Sequence, residues 1–146
     1  MARTIAKDHD DKRQHILRVA AQVFAQAGIA RASMNDVAAA CGISKANIYH
    51  YYTSKNNLLF DILDNYLSQL HGLISGTDRS HMDAPTRLRS ITHDFLMAYE
   101  GMDNEHKIQS EGMPYLPAQQ QKILKNHLNK NKVRLIWLHL TEKELQ

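Results

Sequence analysis

Apolar positions recur along this chain at three- and four-residue steps, and no segment shows the two-residue alternation of a half-buried strand. From Asp10 onward, Ile16, Ala20, Val23, Phe24 and Ala27 mark one face of an amphipathic helix. Gly28 stands just past that stripe, where a left-handed C-terminal cap is wanted. Residues 1–8 are polar and expected to be loose. Ser33 offers an N-cap with Asp36 three residues on, a capping-box spacing with Asp in place of Glu. Val37, Ala38 and Cys41 form a short apolar face, and Gly42 breaks that helix. Ile43 is expected to plug the core from the turn, and Ser44 caps the next helix, which carries Ala46, Ile48 and a cluster of rings. Ser54 caps again, and Leu59, Ile62, Leu63, Tyr66, Leu67, Leu70, Leu73 and Ile74 sustain a helical period over 55–74. A connection over 75–85 leads to a helix from about Ala84 to Tyr99, facing inward through Leu88, Ile91, Phe95 and Ala98. "EGMDNEHK" reads as polar and "EGMPYLP" as a loop, and a last helical stretch begins near Ala118. There is no internal repeat. The expected fold class is all-α.

Two short helices joined by a tight turn containing Gly42 make a helix-turn-helix over about 33–52. In that arrangement the second helix enters the major groove with its N-terminal residues against base edges. Here those residues are Ser44, Lys45, Ala46 and Asn47. Lys donates to guanine O6 and N7, Asn bonds an adenine edge, and the small Ala46 permits close approach to a thymine methyl. The segment "SKANIYHYYTSK" then crowds Tyr49, His50, Tyr51 and Tyr52 between two Ser-Lys pairs. Ile48 and Tyr52 lie four apart on one helical face, which assigns Tyr52 to the core and leaves Tyr49 and Tyr51 as the outward rings. Tyr49 joins the base-reading set. Tyr51, Thr53 and His50 offer hydroxyl and ring donors to phosphate, Lys55 adds a cation at a helix N-terminus, and Ser33 with its helix amides offers another grip. Such contacts set register without reading sequence.

Composition narrows the alternatives. Hydrophobic residues make up 43% of the 146 residues, enough for a core, so the chain is not a disordered tail. The formal charge of +3 leans toward a polyanionic partner. Arg3, Lys7, Lys12 and Arg13 are further candidates for the DNA backbone, and Asp8, Asp10 and Asp11 read as a charge cluster at a helix start. The single cysteine, Cys41, excludes an internal disulfide framework and reads as a small core residue in a reducing compartment. The N-terminus lacks the apolar run of a signal peptide, and no stretch approaches the ~18 apolar residues of a membrane span, so a cytoplasmic location is expected. Although there are nine histidines, His71, His81, His93 and His106 stand 10 to 13 residues apart, and neither an H-x-x-x-H nor a C-x-x-C pair occurs. No Gly-rich phosphate loop and no nucleophile elbow is present. The chain is therefore expected to be no enzyme, with no metal and no cofactor.

The stretch "ILRVAAQVFAQAGIARASMNDVAAACGISKANIYHYYTSKNNLLFDIL" resembles the DNA-binding domain of TetR/AcrR-type bacterial repressors. The resemblance rests on Ala20, Phe24 and Gly28 in the first helix and on Ser33, Asp36, Val37 and Ala38 in the second. It continues through Gly42 to Lys45, then Ile48, Tyr49, Tyr51, Tyr52, Lys55 and Leu58, and runs over 12–72 without a gap. The chain departs from the family at Ala46, often Gly or Pro there, and at Tyr52, commonly Phe, whose added hydroxyl wants a partner.

The resemblance implies an N-terminal three-helix helix-turn-helix domain over 12–72 and a helical effector and dimerisation domain over 73–146. It implies a homodimer on a palindromic double-stranded operator, repressing transcription until a small-molecule effector spreads the two heads, with helix 55–74 as the lever. Phe95, Met97, Tyr99, Met102 and Met113 are candidates for an apolar effector pocket. The region from Tyr99 onward is faintly similar to family members that sense aromatic or acyl thioesters. Family members are usually longer, and the tail "KNHLNKNKVRLIWLHLTEKELQ" shifts to Asn and Lys before an apolar patch over 133–140 around Trp137. A truncated or frame-altered terminus is the expectation, leaving the second domain incomplete. The competing function class is a helical protein-interaction module without DNA function.

Overall fold

The computed structural model of the chain describes residues 2–75 and 79–130, with side chains over 7–73 and 79–129. Residues 131–146, on which the expectation about the tail falls, lie outside the described residues, as does the side chain of Arg3. Among the described residues every regular element is helical. The all-α expectation is met.

Helix α1 (Ala2–Ala27) buries Ile16, Leu17, Ala20, Ala21, Phe24 and Ala25, one face of an amphipathic helix. It starts a full two turns earlier than the apolar stripe indicates, which corrects the expectation of a loose segment at 1–8. The physical reason is local: the stretch ARTIAKDHDDK holds no glycine or proline, so nothing interrupts the helix. The aspartates, expected as a cap, instead lie inside it. Asp8 pairs with Lys12 at 2.7 Å and Asp10 with Arg13 at 3.9 Å, the spacing of neighbours on a helix surface. Gly28 then closes α1 with φ 84°, its N–H donating to the Phe24 carbonyl at 3.0 Å.

Helix α2 (Met34–Ala40) opens with the full capping box. The Asp36 N–H donates to Ser33 Oγ at 3.2 Å, while the Ser33 N–H donates to Asp36 Oδ2 at 2.8 Å. It closes at Gly42 (φ 68°), with Gly42 N–H donating to Ala39 O and Ile43 N–H to Ala38 O, the paired bonds of a Schellman turn. Helix α3 (Lys45–Tyr51) follows, capped by Ser44 Oγ accepting from Asn47 N–H at 3.1 Å. Helix α4 (Lys55–Ser75) is capped by Ser54 in the same way and buries Leu58, Leu59, Ile62, Leu63, Tyr66, Leu67 and Leu70.

Helix α5 (Ala84–Tyr99) has Asp83 as N-cap, accepting from Thr86 N–H at 2.9 Å, and Pro85 in its first turn. Its inward stripe is shorter than expected. Ala98 is buried and Ile91 and Phe95 half-buried, but Leu88 is 47% exposed. Residues 83–89 are all exposed, so Leu88 belongs to the solvent-facing first turns of α5, and burial begins only farther along the helix. Helix α6 (Asp103–Gly112), a single 3-10 turn (Met113–Tyr115) and helix α7 (Ala118–Lys130) complete the described chain. Helix α6 arises where the sequence reads as polar and takes in Glu111 and Gly112 of the expected loop, which corrects that expectation. Only Ile108 and Gly112 of its ten residues are buried, too few to leave a visible stripe.

The chain divides into two compact units. The first comprises Met1–Leu63 together with Asn104–Leu116. Within it α6 is tied to α1: Lys107 Nζ donates to the Ala25 carbonyl at 2.7 Å. Gly112 lies so close that a Cβ there would stand 3.3 Å from the Ile29 and Leu59 methyls. The division thus falls inside α4, and residues from beyond the 12–72 stretch join the first unit. The second comprises Asp64–Asp103 and the segment from Pro117 onward. Its Arg79 is 7% exposed and pairs with Asp94 while its Nε donates to Ser90 Oγ at 3.1 Å. His127 Nδ1 stands 2.9 Å from Asp64 Oδ1.

Candidate nucleic-acid interface

Helix α3 is pinned by Ile48, which is fully buried, and by Tyr52, the residue that terminates it. Everything else at its start faces outward. Ser44, Lys45, Ala46, Asn47, Tyr49 and His50 are all exposed. The amphipathic logic is severe in so short a helix: two inward anchors four residues apart leave the remaining faces to solvent. The result is a ridge with an ammonium, an amide and a phenol at its N-terminal end and no acidic side chain among its seven residues.

The residues expected to meet phosphate divide into two groups. Tyr51, His50 and Thr53 surround the C-terminal end of α3. Tyr51 is half-buried and stacks on His9 of α1, with ring centroids 4.9 Å apart and planes inclined by 25°. Thr53 is exposed, its Oγ1 accepting from Asn57 Nδ2 at 2.7 Å. Its own O–H is not consumed by that bond.

Lys55 and Ser33 have donors already engaged. Lys55 Nζ donates to the carbonyls of Ile29, Ala30 and Ala32 at 2.7, 3.2 and 2.9 Å. An ammonium has three donors, and here each has a carbonyl. The lysine ties the start of α4 to the α1–α2 loop. Likewise the Ser33 hydroxyl donates to Asp36 Oδ2 at 2.7 Å, and the Asp36 carboxylate occupies the α2 N-terminus where an anion would sit. Hydrogen bonding from the Ser33 side chain and backbone holds the Asp36 carboxyl below its ordinary value, so it stays charged there.

The hydroxyl of Tyr52 finds the partner that its place in the core demands. It donates to Asp61 Oδ2 at 2.5 Å, and Arg13 forks onto the same carboxylate, with Nη2 at 2.6 Å from Oδ1 and Nε at 3.1 Å from Oδ2. Burial, then the hydrogen bond to Asp61 and its negative charge, push the Tyr52 phenol far above its usual value. Arg13, a sequence candidate for the DNA backbone, is therefore an internal tie. Asp61 was not among the sequence candidates. The signal for it was the tyrosine itself, since a ring with a hydroxyl in an apolar slot requires an acceptor. Cys41 is half-buried at the end of α2, and burial pushes its thiol up, away from the thiolate.

In the second unit a cavity of about 290 Å³ is lined by Leu73, His93, Asp94, Met97 and Ala98. Of the pocket candidates, Met97 stands on its wall. Phe95 and Tyr99 pack on one another one turn apart, ring centroids 4.6 Å from each other, and Met102 sits in the turn after α5. Met113 belongs to the first unit. Among the described residues no three His, Cys, Asp or Glu side chains gather as a metal site, and no helix is long and apolar enough to cross a membrane.

The family model "Bacterial regulatory proteins, tetR family" matches residues 16–62, the span from mid-α1 into α4. The chain is 27% identical over 134 residues to the HTH-type transcriptional repressor KstR2 of Rhodococcus jostii (strain RHA1), a match that takes in 90% of this chain. It spans 64% of that relative's length. Among solved structures, a TetR-family transcriptional regulator from Bordetella parapertussis 12822 is 30% identical, with a TM-score of 0.70 over 90% of this chain and 69% of that one. AibR, solved in complex with isovaleryl coenzyme A and operator DNA, is 23% identical with a TM-score of 0.70, covering 92% of this chain and 75% of that one. That last likeness is one of fold.

Proposed function

The chain belongs to the TetR/AcrR family of transcriptional regulators, and from that premise we propose that it binds a double-stranded operator through α3, as a homodimeric repressor released by a small-molecule effector. The observation that carries this reading is the solvent-facing set Ser44, Lys45, Ala46, Asn47 and Tyr49 on a short helix whose two inward residues are held in the core. Lys45 and Asn47 supply the donors for guanine and adenine edges. His50, Tyr51 and Thr53 supply phosphate contacts that set register. Lys55 and Ser33 contribute by fixing the loop and helix that flank α3.

Release follows from linkage. A ligand that prefers a conformation in which two heads no longer match the half-site spacing lowers operator affinity by its differential binding to that conformation. The 290 Å³ cavity beside Met97 is the proposed seat of the effector. The faint likeness to acyl-thioester sensors, together with the ligand in the AibR complex, supports a thioester as the class to try first.

Selection of bound duplexes from a random pool tests the proposal. An inverted repeat with half-sites about one or two helical turns apart is the expected result. Binding to it weakens steeply with salt, with a log–log slope of about −0.9 per phosphate neutralised. Asn47→Ala and Lys45→Ala each relax preference at particular base pairs, by about 1–3 kcal/mol. A folded protein with no affinity for any duplex at low salt is a protein-interaction module instead.

A further inference from the structure

Resting on the DNA-binding reading above, we propose that Tyr52, Asp61 and Arg13 form a positioning network that sets the orientation of α3 and thereby its power to discriminate between base sequences. Little apolar packing within the helix itself holds α3. Within its seven residues, Ile48 is the buried side chain. A helix that short, pegged at one point, can swing about the peg, because only contacts farther along it oppose rotation. Tyr52 supplies the second point one turn later, and there the contact is directional. Its O–H reaches Asp61 Oδ2 at 2.5 Å. The same carboxylate receives both Nη2 and Nε of Arg13, at 2.7 and 3.1 Å from Oδ2 and with Nη2 2.6 Å from Oδ1.

The three residues come from three elements: Arg13 from α1, Asp61 from α4, and Tyr52 from the end of α3. The fork of a guanidinium on a carboxylate fixes the carboxylate in plane and in rotation. The oriented carboxylate then dictates where the phenol oxygen sits. Tyr52 is 6% exposed, so water offers its hydroxyl little alternative. The adjacent Tyr51, stacked on His9, adds a second tie from α1 to the same end of the helix. Base-edge hydrogen bonds need their donors placed within about 0.5 Å and 10–20°, whereas attraction to phosphate tolerates a helix tilted by more than that. Loosening the network therefore costs sequence discrimination before it costs general DNA affinity.

The test compares the full chain with Tyr52→Phe, Asp61→Asn and the double variant. Affinity is measured for the selected operator and for a scrambled duplex of equal length, at two salt concentrations and well below the melting temperature. The ratio of operator to scrambled affinity is expected to fall about 5- to 10-fold in Tyr52→Phe and about 10- to 30-fold in Asp61→Asn. The double variant is expected to lose no more than Asp61→Asn alone, because the two substitutions break one network. Scrambled-duplex affinity and the salt slope stay unchanged. Tyr52→Phe removes a single oxygen and decides the question even if Asp61→Asn fails to fold. Variants that melt earlier yet keep the ratio within about twofold overturn the positioning role, as do losses equal on both duplexes. A wild type with no sequence preference overturns this inference and the DNA-binding reading together.

Discussion

The two units of this chain bury their side chains in different ways. In the first, Ile16, Leu17, Phe24, Val37, Ile48, Leu58, Leu59, Ile62 and Leu63 are almost wholly shielded, and α6 adds Ile108 to the same core. Its polar groups are committed as well, in the Arg13–Asp61–Tyr52 network, the Lys55 tie and the Lys107 bond to α1. In the second, Tyr66, Leu67, Leu70, Ala98 and Leu124 are buried, while Leu73, Leu88, Leu96 and Met97 keep about half or more of their surface exposed. The contrast follows the jobs proposed for them. Reading base edges requires donors held rigidly, and rigidity comes from dense packing with every polar group satisfied. Answering a ligand requires a region that can rearrange at low cost, and such regions have fewer buried contacts.

A matched pair of truncations gives the largest expected difference. Phe24 is 1% exposed and Leu96 64% exposed. Phe24→Ala empties a filled site, and a loss of about 3–5 kcal/mol is expected. Leu96→Ala removes a side chain already in water, and the change is expected to stay within about 0.5 kcal/mol. Urea unfolding of both variants measures the gap. Comparable losses would mean that Leu96 is covered in solution, and the contrast between the units would shrink accordingly.

The sequence disclosed local devices well and distant ones poorly. Gly28, Gly42, the Ser33–Asp36 box and the caps at Ser44 and Ser54 all appear where the residue types placed them, because each depends on atoms within a few residues. The burial of Tyr52 followed from helical period alone. Helix α6 was missed because it is attached by two buried residues and a lysine, so its support comes from residues some eighty positions away, as in the 82-residue separation of Lys107 and Ala25. The early start of α1 was missed because an apolar stripe marks where a helix is buried, not where it begins. At the interface, residue type identified which side chains carry donors, and outward placement of Lys45, Asn47 and Tyr49 was legible. Where those donors go was not. Lys55 has the chemistry of a phosphate ligand, but three carbonyls that end up around it come from residues 29 to 32, and no local pattern announces them.

That redirected lysine yields the second prediction, which probes how much the first unit depends on its polar ties. Lys55→Ala leaves the carbonyls of Ile29, Ala30 and Ala32 without their ammonium. Hydrogen bonds to a charged group contribute about 1.5–3 kcal/mol. Partial access to water at this site places the expected loss of stability at about 1–2 kcal/mol. Thermal unfolding reports that loss. Operator affinity measured on the folded variant should fall modestly, through a looser flank of α3. A large loss of affinity on all duplexes with no loss of stability would return Lys55 to the phosphate-binding set.

The smallest effect concerns chemistry the two units share. Asp36 completes the capping box of α2 in the first and Asp83 is the N-cap of α5 in the second, and each carboxyl is held below its ordinary value of 3.8. The cause is the same in kind: a hydrogen bond from the Ser33 side chain and then its backbone for Asp36, and from Thr86 for Asp83. Because the folded value is the lower one, the unfolded chain binds more protons between the two values, and stability rises with pH there. The contribution is complete above the unfolded value and disappears as pH falls through the folded one. Melting temperatures measured from about pH 5 down to about pH 2.5 should therefore show wild type above Asp36→Asn at the upper end and level with it at the lower. Asp83→Asn should behave alike, since its cap is equally exposed and equally local. If only the Asp36 curve converges, the caps differ with the packing around them, and the contrast between the units extends from their cores to their helix ends.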